Sequence, residues 1–328
     1  MEQASSARFG FLKSNRFRIL SVVAVVLAVA PSFGIGVYGE YVLTEALVFV
    51  IVTAAWSTIS GYTGQVVLGP TIFFGLGGYA SAYLAARMGL SPWLGLIVGP
   101  ICGLIFGLII GLPFFRLHGP YFALATLALT EVMGLVATNE QQYTGGSVGL
   151  QIPFQPPLNI LGLSIDLNSN LTQYYIILPM ALACTYVMYR IAMSKAGYYF
   201  TAIRDDEDTA MSLGVNVLKY KEIAFAVCGF FTALAGAFYA NFLFYVSPDA
   251  FFGIQLALII LVMGVLGGAD TILGAWISGF LLTLVQEGLR VGFGAAAAYP
   301  VLIVGAMLVL LLLFLPKGII RLFTKKRV

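Results

Sequence analysis

Long apolar runs recur along the chain, each closed by a short polar or glycine-bearing break. Their limits place candidate helices at about 19–38, 41–60, 66–86, 92–112, 121–138, 173–193, 223–245, 253–268, 272–290 and 299–316. Each is near the ~20 residues that a helix needs to cross a hydrocarbon layer roughly 30 Å thick. Two polar intervals interrupt the rhythm. One, 139–172, carries glycine and proline but no lysine or arginine. The other, 194–222, reads SKAGYYFTAIRDDEDTAMSLGVNVLKYKE and is the most charge-dense part of the chain. A short helix is expected inside it. Asp205 suits its N-cap, the acids that follow stand where the helix dipole favours negative charge, and Gly214 suits the left-handed position that ends it. Met211 and Leu213 give this helix an apolar side.

Composition fixes the class. Hydrophobic residues make up 60% of the chain and charged residues 9%, against about 25% charged in a soluble domain. The expected fold is an all-α polytopic membrane protein of about ten spans. With the N-terminus in the cytoplasm, every Lys and Arg except Arg87 and Arg290 falls at the cytoplasmic side, the bias of a correctly oriented membrane protein. Both termini are then inside, 139–172 is an external loop and 194–222 is cytoplasmic. The chain divides into a cytoplasmic segment 1–18, a membrane domain 19–316 and a basic cytoplasmic tail 317–328. Ala28-Val29-Ala30 resembles a signal-peptide cleavage site, but apolar character continues to Tyr38, which favours a retained first span.

Glycine is abundant, at 37 residues. Gly95, Gly99, Gly103, Gly107 and Gly111 recur every fourth position and form one smooth stripe that lets another backbone approach closely. Helix packing is the plain reading of that stripe; the other is the wall of a narrow conduit. Gly61-Tyr62-Thr63-Gly64-Gln65 joins two apolar spans with almost no polar length, and Phe73-Phe74-Gly75-Leu76-Gly77-Gly78-Tyr79 loads the next span with residues that disfavour a regular helix. Irregular backbone at membrane depth is tolerated where protein or a hydrated cavity covers it. Either a tight turn leads into a kinked helix, or Gly64 and Gln65 belong to a break that lines a pathway.

Candidate chemistry is sparse. No phosphate-binding loop, zinc-protease motif or nucleophile elbow occurs. One histidine, and cysteines at 102, 184 and 228 without ligand spacing, predict no metal site. Nothing suggests nucleic acid as a partner; the surrounding partner is membrane lipid. Glu131 stands mid-span beside Thr126 and Thr130, and a carboxylate at that depth marks either a hydrated substrate path or a hydrogen-bonded packing contact. Glu45, Glu287 and Arg290 lie near the outer ends of their spans, where interfacial solvation is the plain reading. No enzyme activity is expected, so energy comes from another subunit or from an ion gradient.

Several stretches together carry a resemblance. GYTGQVVLG at 61–69, GPYFALATLALTE at 119–131, TGGSVGL at 144–150, AIRDDEDTAMSLGVN at 202–216, YVSPD at 245–249 and VLGG at 265–268 resemble the permeases of branched-chain amino acid ABC importers, the LivM-type subunit above all. The likeness runs from about residue 40 to 316. It implies a type II importer architecture and a pathway between two homologous permease subunits. It also implies two cytoplasmic ATP-binding subunits that hold ATP and magnesium, and an extracytoplasmic solute-binding protein. No cofactor is expected on this chain. The family's docking motif E-x-x-A-x-x-x-G-[IV]-N falls on Glu207, Ala210, Gly214, Val215 and Asn216. By the resemblance, ATPase coupling is carried by Arg204, Asp205, Glu207, Ala210, Gly214 and Asn216, and Thr144, Gly145, Gly146 and Ser147 form a binding-protein contact.

The expected function is import of branched-chain or other hydrophobic amino acids across the cell membrane of a bacterium or archaeon, by alternating access. Urea or short amides are the alternative substrates within the same superfamily. A stand-alone ion-coupled transporter is the alternative of a different class, and the scarcity of intramembrane ionisable groups weighs against it.

Overall fold

A chain that is apolar almost everywhere buries its helices by shape, since a lipid-facing side chain is as well solvated by hydrocarbon as a packed one. The computed structural model describes residues 27–34, 36–117, 119–154, 158–160, 163–293 and 305. The segment 1–18, residues 19–26 of the first expected span, most of the tenth, His118 and the basic tail lie outside these residues. The described α-helices longer than four residues are α1 (Gly36–Trp56), α2 (Thr71–Ala86), α3 (Gly95–Phe114), α4 (Pro120–Asn139), α5 (Asn170–Ala192), α6 (Lys195–Asp205), α7 (Glu207–Ser212), α8 (Val217–Leu243), α9 (Pro248–Phe252), α10 (Ile254–Gly267) and α11 (Gly274–Phe293). Among the described residues, six stretches are long and apolar enough to cross a membrane: 36–61, 92–114, 120–139, 170–192, 217–243 and 248–267. The ends match the apolar runs to within a few residues except at three helix starts: α1 begins at Gly36 rather than near 41, α8 at Val217 rather than near 223, and the third is α2. That helix starts at Thr71 rather than near 66, and the turn ahead of it is far from tight.

Two helices form the centre. In the best window of 36–61, 89% of residues are buried, and in that of 217–243, 72%; the windows of 92–114, 120–139 and 170–192 are about one-third buried and stand on the outside. α8 packs against α3, α2 and α1, while α1 also packs against α11 and α5. Aromatic rings fill the inner half of this core. Phe73 meets Phe225 edge-on at 5.0 Å, Phe115 stacks on Phe122 at 5.2 Å, and Phe115 meets Phe225 at 5.7 Å.

The glycine stripe of α3 faces inward against α2 and α8. A Cβ on Gly103 would lie 2.5 Å from the Ala233 methyl and 2.5 Å from the Gly229 carbonyl oxygen, and one on Gly95 would lie 2.3 Å from the Ser81 Cβ. Gly99, Gly107 and Gly111 are also buried, with contacts at 3.0 to 3.3 Å. Gly75, Gly77 and Gly78 play the same part in α2, which is a regular helix over the stretch expected to be irregular. A Cβ on Gly77 would strike the Ala233 carbonyl, and on Gly75 the Phe252 ring. Weak local helix propensity is here offset by close backbone packing.

Polar contacts tie the helices together at both ends of the bundle. At the outer end Tyr38 donates to Glu287 at 2.6 Å, Arg290 pairs with Glu287 at 3.2 Å, and Tyr239 donates to Glu45 at 3.1 Å. Ser81 and Asn241 both donate to the Pro92 carbonyl. Two short strands, β1 (Leu150–Gln151) and β4 (Tyr245–Val246), pair antiparallel there, while β2 (Leu158–Ile160) and β3 (Leu163–Ile165) form a hairpin in the 139–172 interval. The inner end holds α6 and α7.

Candidate functional site

The inner end is organised around a break between α1 and α2. α1 ends in a π-turn, Ser57–Gly61, a widened backbone found mostly at functional sites. Residues 62–70 then run without regular helix back along the end of α1. Nonhelical backbone at this depth needs partners, and side chains supply them. Trp56 Nε1 donates to the Val67 carbonyl at 2.8 Å, the Val67 amide donates to Ser60 Oγ at 3.1 Å, and the Leu68 amide donates to Thr126 Oγ1 at 3.2 Å. Gly69 lies directly on α4, where an added Cβ would be 2.1 Å from the Thr126 carbonyl oxygen and 2.3 Å from Thr130 Oγ1. Pro70 then opens α2, its fixed φ suited to a helix start.

Thr126 and Thr130 are therefore brought to the break, with their hydroxyls turned to backbone carbonyls of their own helix and to the 68–69 backbone. Glu131 is not brought there. It lies on the exposed face of α4 with Leu124, Val132 and Leu135. Gly64 is exposed at the inner surface, in the left-handed region at φ +74°, and Gln65 is half-buried beside it.

Arg204 joins this break to the charged segment. Its stem covers Gly64, with Cγ 3.0 Å from where a Cβ would be, and its Nη1 donates to the Gly61 carbonyl at 3.1 Å. Gly61 is also closed in from the opposite side, since a Cβ there would be 1.6 Å from the Ala269 carbonyl oxygen. The turn after α1, the turn after α10 and the end of α6 thus meet at one residue that has room for no side chain.

The short charged helix is α7. Its N-cap is Asp206 and not Asp205: the Asp206 carboxylate accepts from the Thr209 amide at 2.6 Å. Asp205 instead ends α6, exposed, 3.5 Å from Arg204. Hydrogen bonding from Thr209 holds the Asp206 carboxyl below the usual carboxylate range. At the other end Gly214 adopts φ +85°, its amide donates to Met211 O and the Val215 amide donates to Ala210 O. These are the paired bonds of a Schellman stop. Asn216 caps α8 by accepting from the Lys219 amide at 3.1 Å. Ala210 is buried with Ile203 and Val217, fixing α7 against α6 and α8. Met211 and Leu213 point outward, 53% and 79% exposed.

Lys221 has no counterpart in the sequence reading. Its side chain is 6% exposed and its Nζ lies 2.6 Å from Glu207 Oε2. The signal was present as an Asx-capped helix start carrying Lys at its fifth position, but burial of that lysine depends on α7 folding over it.

At the outer end Thr144 Oγ1 donates to the carbonyls of Ala137 and Glu140, and Gly145 and Gly146 take left-handed turns. Thr144 to Gly146 close the end of α4, leaving Ser147 and Val148 exposed. Tyr245 donates its hydroxyl to the Val148 carbonyl and ties this turn to β4.

A family model described as branched-chain amino acid transport system / permease component matches residues 38–312. The high-affinity branched-chain amino acid transport system permease protein LivM of Escherichia coli K12 is 27% identical over 323 residues, covering 92% of this chain and 75% of that one. The probable LivM of Methanocaldococcus jannaschii is 23% identical over 274 residues, covering 76% and 78%. The ribose import permease protein RbsC of Escherichia coli K12 is 31% identical over 127 residues, covering 38% and 39%. Among solved structures, PsaBC from Streptococcus pneumoniae in complex with Fab superposes with a TM-score of 0.44 at 14% identity, covering 92% of this chain and 100% of that one.

Proposed function

Because the chain belongs to the family of branched-chain amino acid transport system permease components, multi-pass inner-membrane subunits of ABC importers, we propose that it moves branched-chain or other hydrophobic amino acids into the cell. The observation that carries this reading is the joint at Gly61. There the cytoplasmic segment that would take up a partner's motion grips the helix break that would move with it. Two ATP-binding subunits press on α7 through the exposed Met211 and Leu213, hydrolysis takes place on those subunits, and a solute-binding protein delivers substrate at the outer end beside Ser147.

Alternating access then follows from two openings of one bundle against a second, homologous permease. The exposed α4 face is the surface we give to that partner, because an ionisable group such as Glu131 is costly against lipid. Gly64, Gln65, Thr126 and Thr130 border the path at its inner end. The test is uptake of labelled leucine and labelled urea into vesicles holding the complex with its binding protein, with and without ATP. ATP-dependent leucine uptake is the expected result. ATP-dependent urea uptake replaces the substrate, and uptake by this chain alone along an ion gradient overturns the ABC reading.

A further inference from the structure

We infer that the Glu207–Lys221 ion pair is the tie that passes displacement of α7 into α8, which makes Lys221 a positioning residue for coupling; this rests on the permease reading above. Four observations carry it. First, Glu207 is turned into its own chain, its carboxylate 2.6 Å from Lys221 Nζ, so it is engaged before any partner arrives. Second, the ammonium is buried, and a buried charge parted from its partner is strongly unfavourable, so α7 and the start of α8 are held to move together.

Third, α7 has few other holds. Its apolar contact is the small cluster of Ile203, Ala210 and Val217, and an open cavity of about 430 Å³, lined by Glu207 and Lys221 themselves, separates it from Phe115 at the end of α3. Fourth, α8 is the helix through which motion would spread. It packs on α3, α2 and α1, and at its far end Asn241 and Tyr239 reach Pro92 and Glu45. Arg204 makes the parallel connection from α6 to Gly61.

The test compares ATP hydrolysis and solute uptake in one preparation of the complete complex, reconstituted with its ATP-binding subunits and binding protein. The variants are Glu207→Gln, Lys221→Met, the reversal Glu207→Lys with Lys221→Glu, and the apolar pair Glu207→Leu with Lys221→Met. Lys221→Met is expected to keep hydrolysis while uptake per ATP falls about tenfold, within the usual range of coupling energies; Glu207→Gln should show the same fall in uptake per ATP, whatever its own rate of hydrolysis. The reversal should recover most of that loss. The apolar pair removes both charges, so it assembles even where a single variant does not, and it should remain uncoupled. Uptake per ATP equal to wild type in the singles or in the apolar pair overturns the tie, as does a reversal no better than either single. Hydrolysis and uptake that fall in parallel also overturn it, because a merely structural contact would do that. Leucine and urea are both offered, so a wrong substrate appears as a change of solute in the wild type, whereas a wrong tie appears in the variants' ratio.

Discussion

The indole of Trp56 donates its one hydrogen to the carbonyl of Val67, eleven residues further along the chain and 2.8 Å away. Both residues are buried, so this bond holds the 62–70 segment against α1 where neither water nor a strand could do so. Trp56→Phe keeps an aromatic ring and strands the carbonyl. An unsatisfied buried acceptor costs about 1–3 kcal/mol. The variant should therefore unfold at lower temperature in detergent and transport less, while Trp93→Phe, outside the break, should change neither by as much.

The glycine contacts make a graded prediction. At Gly103 an added methyl meets a backbone oxygen at 2.5 Å, at Gly107 it meets the Ala226 Cα at 3.3 Å, and at Gly134 it meets only the Phe252 Cβ at 3.5 Å. Alanine should be most damaging at 103, milder at 107 and near neutral at 134. Overpacking of this kind costs about 1–3 kcal/mol at the tightest site. Thermal stability of the three purified variants checks the order.

Glu287 accepts from Tyr38 and pairs with Arg290, joining α1 to α11 at the outer end. Its side chain is 11% exposed, while that of Arg290 is 57% exposed. Arg290→Met leaves the carboxylate half-served and should be more destabilising than the double change Arg290→Met with Glu287→Gln. A thermal melt in which the double variant is the weaker of the two would contradict the pairing.

Asp206 links the stability of α7 to pH. Its carboxyl is held below its ordinary value by Thr209, so the cap is fully present above the unfolded carboxylate value of about 3.9 and is lost as pH falls through the lower, folded value. Proteolysis within 206–214 should therefore be suppressed at neutral pH and rise on acidification. Asp206→Asn keeps the cap and should remove most of that pH dependence.

The limits of α7 show how far the sequence could be read. Gly214 was legible because a left-handed helix stop is a local requirement. The N-cap came out one residue early, since Asp205, Asp206 and Asp208 all qualify locally. What chooses Asp206 is that Lys195–Asp205 is itself a helix, and Asp206 is the first extended residue after it. The 62–70 break was not legible at its true length. Its hydrogen-bond partners include Thr126, 58 residues away, and its short polar content reads as a turn. Gly75, Gly77 and Gly78 misled for a related reason: local propensity is weak, but Ala233 and Phe252 come from helices far along the chain to pack on them. For Glu131 depth was legible but direction was not, and the fold turns it away from the threonines beside it.

The burial of α1 also sets a condition on how the protein is made. This helix leaves the ribosome before α5, α8 and α11, the neighbours that later enclose it. Until they arrive the sides that they will cover face lipid. A central helix in a soluble protein could carry a polar stripe for a later partner, but one synthesised early into a bilayer has to be acceptable to hydrocarbon all round. Residues 46–56 are uniformly apolar apart from Thr53, and Glu45, Tyr41 and Tyr38 are confined to the outer end, where the waiting helix still reaches water. Order of synthesis, as much as the finished packing, is written into that segment.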